Sequence, residues 1–170
     1  SDLTRFLVQE SLYPKFVQDF TAAARALKVG DGLAEGTQMG PLAHARRVEA
    51  MEGFVSDAVT HGAKIETGGR RIGNKGYFFE PTVLTNVPKS ARAMNEEPFG
   101  PLALIAPFRT YDEAVQEANR LPYGLAAYVY TRSGKTAADF GADIESGMVS
   151  INHHGLAVPE TPFGGVKDSG

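Results

Sequence analysis

The feature that most constrains this chain is the alternation that begins at Leu102. A nearly continuous apolar run from Leu102 to Phe108 is followed by an amphipathic stretch from Tyr111 to Arg120 and a second apolar run from Leu125 to Tyr130. Another helical stretch, Lys135 to Ile144, and a last strand, Met148 to Asn152, complete the series. Apolar runs without polar alternation belong to strands buried on both faces, and strands separated by helix-length segments pair in parallel through crossovers. The pattern predicts an α/β fold, an open and mostly parallel sheet with crossover helices.

The preceding hundred residues read less regularly. Arg5 to Val8 forms a short strand, and Ser11 precedes a helix from Tyr13 to Leu27 with Pro14 in its first turn, where a missing N–H costs little. Phe16, Val17, Phe20, Ala23, Ala24 and Leu27 supply its apolar face. Gly30 to Pro41 is a loop, Ala43 to Thr60 a second helix, and His61-Gly62 its stop, with glycine in the left-handed cap. Ala63 to Glu66 is a strand, Thr67 to Gly76 a basic turn, and Tyr77 to Val87 an extended segment broken by Pro81. No repeat, heptad or domain-dividing linker is visible, and His153 to Gly170 reads as a loop after a strand. In open α/β sheets, ligands are met at such loops.

The composition is that of a globular protein, with 42% hydrophobic and 22% charged residues. A net charge of -3 with scattered basic residues gives no cationic stripe for nucleic acid. No apolar run nears the roughly 20 residues that cross a bilayer, and no secretion signal precedes Arg5, so a cytoplasmic location without membrane contact is expected. The chain has no cysteine, which excludes disulfides, zinc-thiolate sites and a thiol nucleophile within these residues.

Two clusters could carry chemistry. Asn95-Glu96-Glu97-Pro98-Phe99-Gly100-Pro101 places two carboxylates and an aromatic ring just before the buried strand. Ionised carboxylates are strong acceptors for sugar hydroxyls, and a ring beside them offers a flat face; taken alone, the segment is more often a solvated acidic turn. Thr161-Pro162-Phe163-Gly164-Gly165-Val166-Lys167-Asp168-Ser169-Gly170 fits neither the Walker pattern nor the dinucleotide fingerprint, and its glycines permit backbone angles closed to other residues. His153 and His154 should point to opposite sides of an extended chain, which argues against joint metal chelation and for loop lining. Arg5, Arg46 and Arg47 are weak candidates for an anionic ligand.

The chain resembles the catalytic domain of the aldehyde dehydrogenase superfamily over essentially its whole length. The resemblance rests on Arg5-Phe6-Leu7-Val8-Gln9, Gly40-Pro41-Leu42, Gly76-Tyr77-Phe78-Phe79-Glu80-Pro81-Thr82-Val83, Glu96-Glu97-Pro98-Phe99-Gly100-Pro101, Tyr123-Gly124-Leu125 and Pro162-Phe163-Gly164-Gly165, six motifs in the family's order. It implies NAD or NADP as cofactor, with Glu97 holding the nicotinamide-side ribose and Phe99 packing by the nicotinamide. It also implies that Phe163 lines the substrate tunnel and that the loop from Asn152 to Val158 borders it.

The family's chemistry is a cysteine thiolate attacking the aldehyde, hydride loss to NAD(P), and hydrolysis of the resulting thioester. By resemblance the nucleophile belongs at or just upstream of Ser1, so no catalytic residue is assigned in this chain. The base glutamate, the oxyanion asparagine and the cofactor-binding domain belong upstream too, and an oligomerisation tail downstream. The expectation is therefore a partial catalytic domain over residues 1–170, inactive alone and prone to self-association, from an enzyme that is a homodimer or homotetramer acting on a small-molecule aldehyde.

Gln38-Met39-Gly40-Pro41-Leu42, Asn152-His153-His154-Gly155 and Pro159-Glu160-Thr161-Pro162 are similar to the succinate-semialdehyde dehydrogenase-like branch. That branch often carries a serine where Ala157 and Val158 stand here, a departure that points away from succinic semialdehyde and toward an apolar or hydroxylated aldehyde. Two other readings compete: a free-standing, non-catalytic binding module of the same fold, and a relative of the biosynthetic phosphate reductases.

Overall fold

A computed structural model describes residues 4–170. The chain divides into two compact units, one ending at Phe108 and one spanning Arg109–Gly170. The sequence carries neither a linker nor a compositional mark at this division.

The first unit is a four-stranded sheet between two helices. Strands β1 (Arg5–Gln9), β2 (Lys64–Thr67), β3 (Thr82–Thr85) and β4 (Leu102–Phe108) lie in the order β1-β4-β3-β2. The β1·β4 and β3·β4 pairs are parallel, while β2 closes the edge antiparallel to β3 with an irregular register at Ile65/Thr67. The unbroken apolar run of β4 is explained by its central place. Consecutive residues point to opposite faces, so Leu104 joins one cluster and Ile105 the other, as Leu84 and Val83 do on β3.

Helix α1 (Tyr13–Ala26) covers the Val83/Ile105 face with Phe16, Val17 and Phe20, and the Phe6 and Phe20 rings meet at 4.9 Å. Its buried stripe continues through Thr21 and Ala24, whereas Ala23 and Leu27, expected on the apolar face, are exposed. Ser11 does not cap this helix; Leu12 holds that place without a side-chain bond. Helix α2 (Ala45–Thr60) covers the other face with Val48, Met51, Phe54, Val55 and Ala58, and ends as expected at Gly62, whose φ is +97°.

The second unit contains α3 (Tyr111–Asn119), β5 (Tyr123–Gly124), β6 (Ala126–Val129), α4 (Gly134–Asp143), β7 (Met148–Ile151) and β8 (Val166–Lys167). Thr110 caps α3 by accepting the Glu113 N–H, and Ser133 caps α4 in the same way through Thr136. Strands β6 and β7 pair in parallel across α4, the crossover unit the sequence predicts. The loop expected after β7 contains the additional strand β8, antiparallel to β5. Thus the fold is α/β and mostly parallel, as expected, with its parallel ladders divided between two sheets. Among the described residues, no helix is long and apolar enough to cross a membrane.

Candidate active-site segments

The segment before β4 distinguishes two glutamates that look equivalent in sequence. A 3-10 turn at Arg92–Met94 brings the Arg92 guanidinium onto Glu96, with Nε and Nη2 each donating to the carboxylate at 3.0 Å. Those charge-assisted bonds hold the Glu96 carboxyl below the usual carboxylate range and raise the guanidinium in turn. Arg92 also lies over the Phe54 ring at 4.8 Å, and Asp57 accepts its backbone N–H at 2.8 Å. Glu97, the next residue, is exposed and has no hydrogen bond or ion pair among the described residues. It remains an open acceptor.

Phe99 is 58% exposed and has φ +49°, the left-handed region that a bulky residue rarely occupies. Its neighbours explain how this conformation is held. Pro98 is fully buried, and its carbonyl accepts a 2.8 Å bond from Arg47 Nη2 on α2. On the other side Gly100 sits so close to Met51 that an added Cβ would lie 2.4 Å from its sulfur. The Pro101 carbonyl then accepts the Thr82 N–H at 2.8 Å, joining the segment to the first residue of β3. The ring therefore projects outward from a backbone fixed on both sides.

In the second unit, the Phe163 segment is held by close packing. An added Cβ on Gly147 would fall 2.1 Å from the Gly164 oxygen, and one on Gly165 2.5 Å from the Ser169 oxygen. Neither Gly164 nor Gly165 has a positive φ. The sequence reading that these glycines serve unusual backbone angles is corrected: Gly165 serves close approach. The Lys167 ammonium donates to the Asn119 and Leu121 carbonyls at 2.8 and 3.1 Å and pairs with Glu145 at 2.6 Å. Phe163 itself is 63% exposed and Val158 is exposed nearby in sequence.

Asn152 also lies in the left-handed region, φ +55°. Its amide is fully engaged with the backbone of Thr131, accepting the N–H and donating to the carbonyl, both at 2.9 Å. This turn overturns the expectation for the two histidines. Because Asn152 ends the extended run, His153 and His154 do not diverge but stack, with centroids 6.0 Å apart and planes 14° apart. His153 Nδ1 accepts the Gly155 N–H at 2.8 Å, and His154 Nδ1 pairs with the Tyr130 hydroxyl at 3.0 Å. Among the described residues, no three His, Asp or Glu side chains gather into a metal-holding group.

A profile of the Aldehyde dehydrogenase family matches residues 1–170. The chain belongs to that family. It is 46% identical over 167 residues to 4-(hydroxymethyl)benzenesulfonate dehydrogenase TsaD1 of Comamonas testosteroni, a match covering 98% of this chain and 34% of that protein. Succinate-semialdehyde dehydrogenase from Burkholderia pseudomallei superposes with a TM-score of 0.93 at 41% identity, covering 96% of this chain and 34% of the other. An NAD+ complex of aldehyde dehydrogenase from Bacillus cereus also gives 0.93, at 35% identity, over 96% of this chain and 33% of the other. The chain spans about a third of the length of the curated relatives it matches. Succinate-semialdehyde dehydrogenases stand among those relatives, in line with the branch read from the sequence.

The aldehyde dehydrogenase motifs meet in pairs within each unit. The Leu42 N–H donates to the Tyr77 carbonyl at 2.8 Å, so Gly40-Pro41-Leu42 anchors the Gly76-Tyr77 segment. Tyr123-Gly124 and Val166-Lys167 form the β5·β8 ladder, and Ser169 Oγ accepts the Gly124 N–H at 3.2 Å. Glu97 and Phe99 belong to the first unit, and Asn152, Val158 and Phe163 to the second. The position expected for the nucleophile, at or before Ser1, lies outside the described residues.

Sequence reasoning undervalued Arg47 and Lys167. The signal for Lys167 is faint, a lysine one residue removed from Gly-Gly, since its three acceptors lie at positions 119, 121 and 145.

Proposed function

We propose that the protein to which this chain belongs oxidises an aldehyde to a carboxylate with NAD or NADP, and that this chain supplies part of both binding surfaces. The observation that carries the reading is the difference between the adjacent glutamates: Arg92 occupies Glu96, while Glu97 stays unpartnered beside an outward Phe99. An open carboxylate is the acceptor a ribose diol requires, and an exposed ring offers a face to a flat heterocycle. The donor set therefore fits the nicotinamide end of the cofactor. When bound, that cofactor accepts the hydride. Glu97 binds the ribose hydroxyls and sets their orientation, and Phe99 covers the ring and excludes water from it.

Phe163, Val158 and Asn152 belong to the aldehyde side in this reading. Phe163 and Val158, both exposed, offer the aldehyde apolar surface, and Asn152, its amide engaged by Thr131, fixes where the loop begins. Ala157 and Val158 bring neither hydroxyl nor charge to this loop, which favours an aldehyde with an apolar body over succinic semialdehyde. The nucleophilic cysteine is assigned to the parent protein outside this chain, which is inactive alone. A soluble cytoplasmic homo-oligomer is the corresponding cellular form.

The test uses the full-length protein. Glu97→Gln should raise the KM for the cofactor or slow single-turnover hydride transfer by roughly tenfold to a hundredfold, the worth of one charged hydrogen bond. Unchanged steady-state and single-turnover constants remove Glu97 from the site. Comparing kcat/KM for succinic semialdehyde and a benzaldehyde decides the substrate class.

A further inference from the structure

We propose that Arg47 is a positioning residue for the cofactor-side loop, acting with Met51 as a clamp built on one face of α2. The inference rests on the reading of Glu97 and Phe99 given above and adds to it the element that holds them. Residues four apart lie one above the other on a helix. Arg47 and Met51 are such a pair, and they grip the two neighbours of Phe99. Arg47 Nη2 donates 2.8 Å to the Pro98 carbonyl, and Met51, fully buried, fills the space against Gly100.

Between these grips Phe99 holds φ +49°. A non-glycine residue in the left-handed region is strained by roughly 1–2 kcal/mol and persists only where its surroundings over-determine it. Pro98 and Gly100 are the two points at which the surroundings act. If the Pro98 carbonyl were released, the backbone at Phe99 could return to an ordinary region. The ring would then swing away from its outward direction, and the Glu97 carboxylate, two residues earlier, would lose its register.

The state of the guanidinium supports this role. An arginine on a helix surface ordinarily keeps its charged head in water while its stem lies on apolar neighbours. Arg47 is only half-exposed, and its Nε is buried with no partner among the described residues. The side chain is therefore drawn into the loop at a desolvation cost. Arg46, its neighbour, is exposed and makes no hydrogen bond or ion pair with the loop. The pair that sequence reading treats alike divides into one solvated residue and one clamp.

The experiment is made on the full-length protein with Arg47→Met, which keeps the apolar stem and removes the donor, and with Glu97→Gln as reference. Amide hydrogen exchange without cofactor should rise by about tenfold at Thr82 and Leu102, whose N–H groups donate to the Pro101 and Gly100 carbonyls of this segment, the factor one net hydrogen bond is worth. The KM for NAD(P) should rise several-fold, while affinity for AMP, which lacks the nicotinamide ribose, should stay unchanged. Arg47→Lys, with a donor on a similar stem, should restore part of both effects.

Unchanged exchange at Thr82 and Leu102 in Arg47→Met, with Glu97→Gln impaired, overturns the clamp and leaves the cofactor reading intact. Faster exchange with both variants kinetically normal overturns the cofactor reading and, with it, the positioning role. Should Arg47→Met fail to fold, Arg47→Gln, polar but too short to reach the carbonyl, is read by the same two outcomes.

Discussion

Arg92 grips Glu96 with two N–H···O bonds of 3.0 Å and thereby leaves Glu97 as the open carboxylate of the pair. The consequence is a clean separation of roles between neighbours. In the full-length protein, Glu96→Gln should leave the cofactor KM unchanged and cost only a few tenths of a kcal/mol, because exposed ion pairs are worth about 0.2–1 kcal/mol. Glu97→Gln should do the reverse. Chemical denaturation and initial-rate kinetics on the two variants check both.

The same ion pair sets a direction with pH. Its hydrogen bonds to Arg92 lower the folded-state pKa of Glu96 below the ordinary carboxylate value. A lowered folded pKa means that the contribution is complete above the unfolded pKa, about 4.3, and fades as pH falls through the lower folded value. Glu96→Gln should therefore narrow its small stability deficit below about pH 4, seen by urea titration at several pH values. An undiminished deficit at low pH rules this coupling out.

At the alkaline end the relevant group is Tyr111. Desolvation against its neighbours, followed by its 2.6 Å bond to Asp143, pushes its hydroxyl up to about 12. The ring packs on Phe140 at 4.5 Å, so this contact joins α3 to α4. A raised folded pKa gives stability that is complete below the unfolded value of 10.0 and lost as pH rises toward 12. Tyr111→Phe should flatten the loss of stability above pH 10, which thermal melts across that range would register.

Two glycines of the second unit should respond oppositely to alanine. Gly147→Ala places a methyl group 2.1 Å from the backbone oxygen of Gly164, which cannot rotate away, so the Phe163 segment must shift. A loss of about 1–3 kcal/mol is expected, the usual cost of overpacking. Gly141 lies within α4 and meets nothing within 4 Å. Gly141→Ala should stabilise by about 0.5–1 kcal/mol through helix propensity alone. Melting temperatures of the two full-length variants should move in opposite directions.

Phe163 offers the test of the aldehyde side. Its ring stands outside both buried clusters and is largely exposed. Phe163→Ala should raise the aldehyde KM about tenfold, in line with the apolar contact removed, and leave the cofactor KM and the melting temperature near their original values. A change confined to the cofactor KM would place the ring elsewhere.

What the sequence determined by itself was whatever depends on local periodicity. Leu102–Phe108 was legible to the residue because a central strand buried on both faces leaves an unbroken apolar run. The helix ends at Ala26, Thr60 and Asn119 came within a residue or so, since Gly62 and polar neighbours act through the nearest turn. The motifs around Glu97, Phe99 and Phe163 were legible as a family resemblance.

Tertiary structure alone decided which partner each group takes. Glu96 and Glu97 are the same letter until a 3-10 turn brings Arg92 to one of them, and Arg46 and Arg47 are the same until α2 turns one toward Pro98. Strand β8 went unread because two residues carry no period, and its pairing with β5 spans more than forty positions. His153 and His154 stack because Asn152 bends the chain, and that bend depends on an amide bonded to Thr131. Alternation and caps are local and survive in one dimension; hydrogen-bond partners and close backbone approach are fixed only when distant segments are packed together.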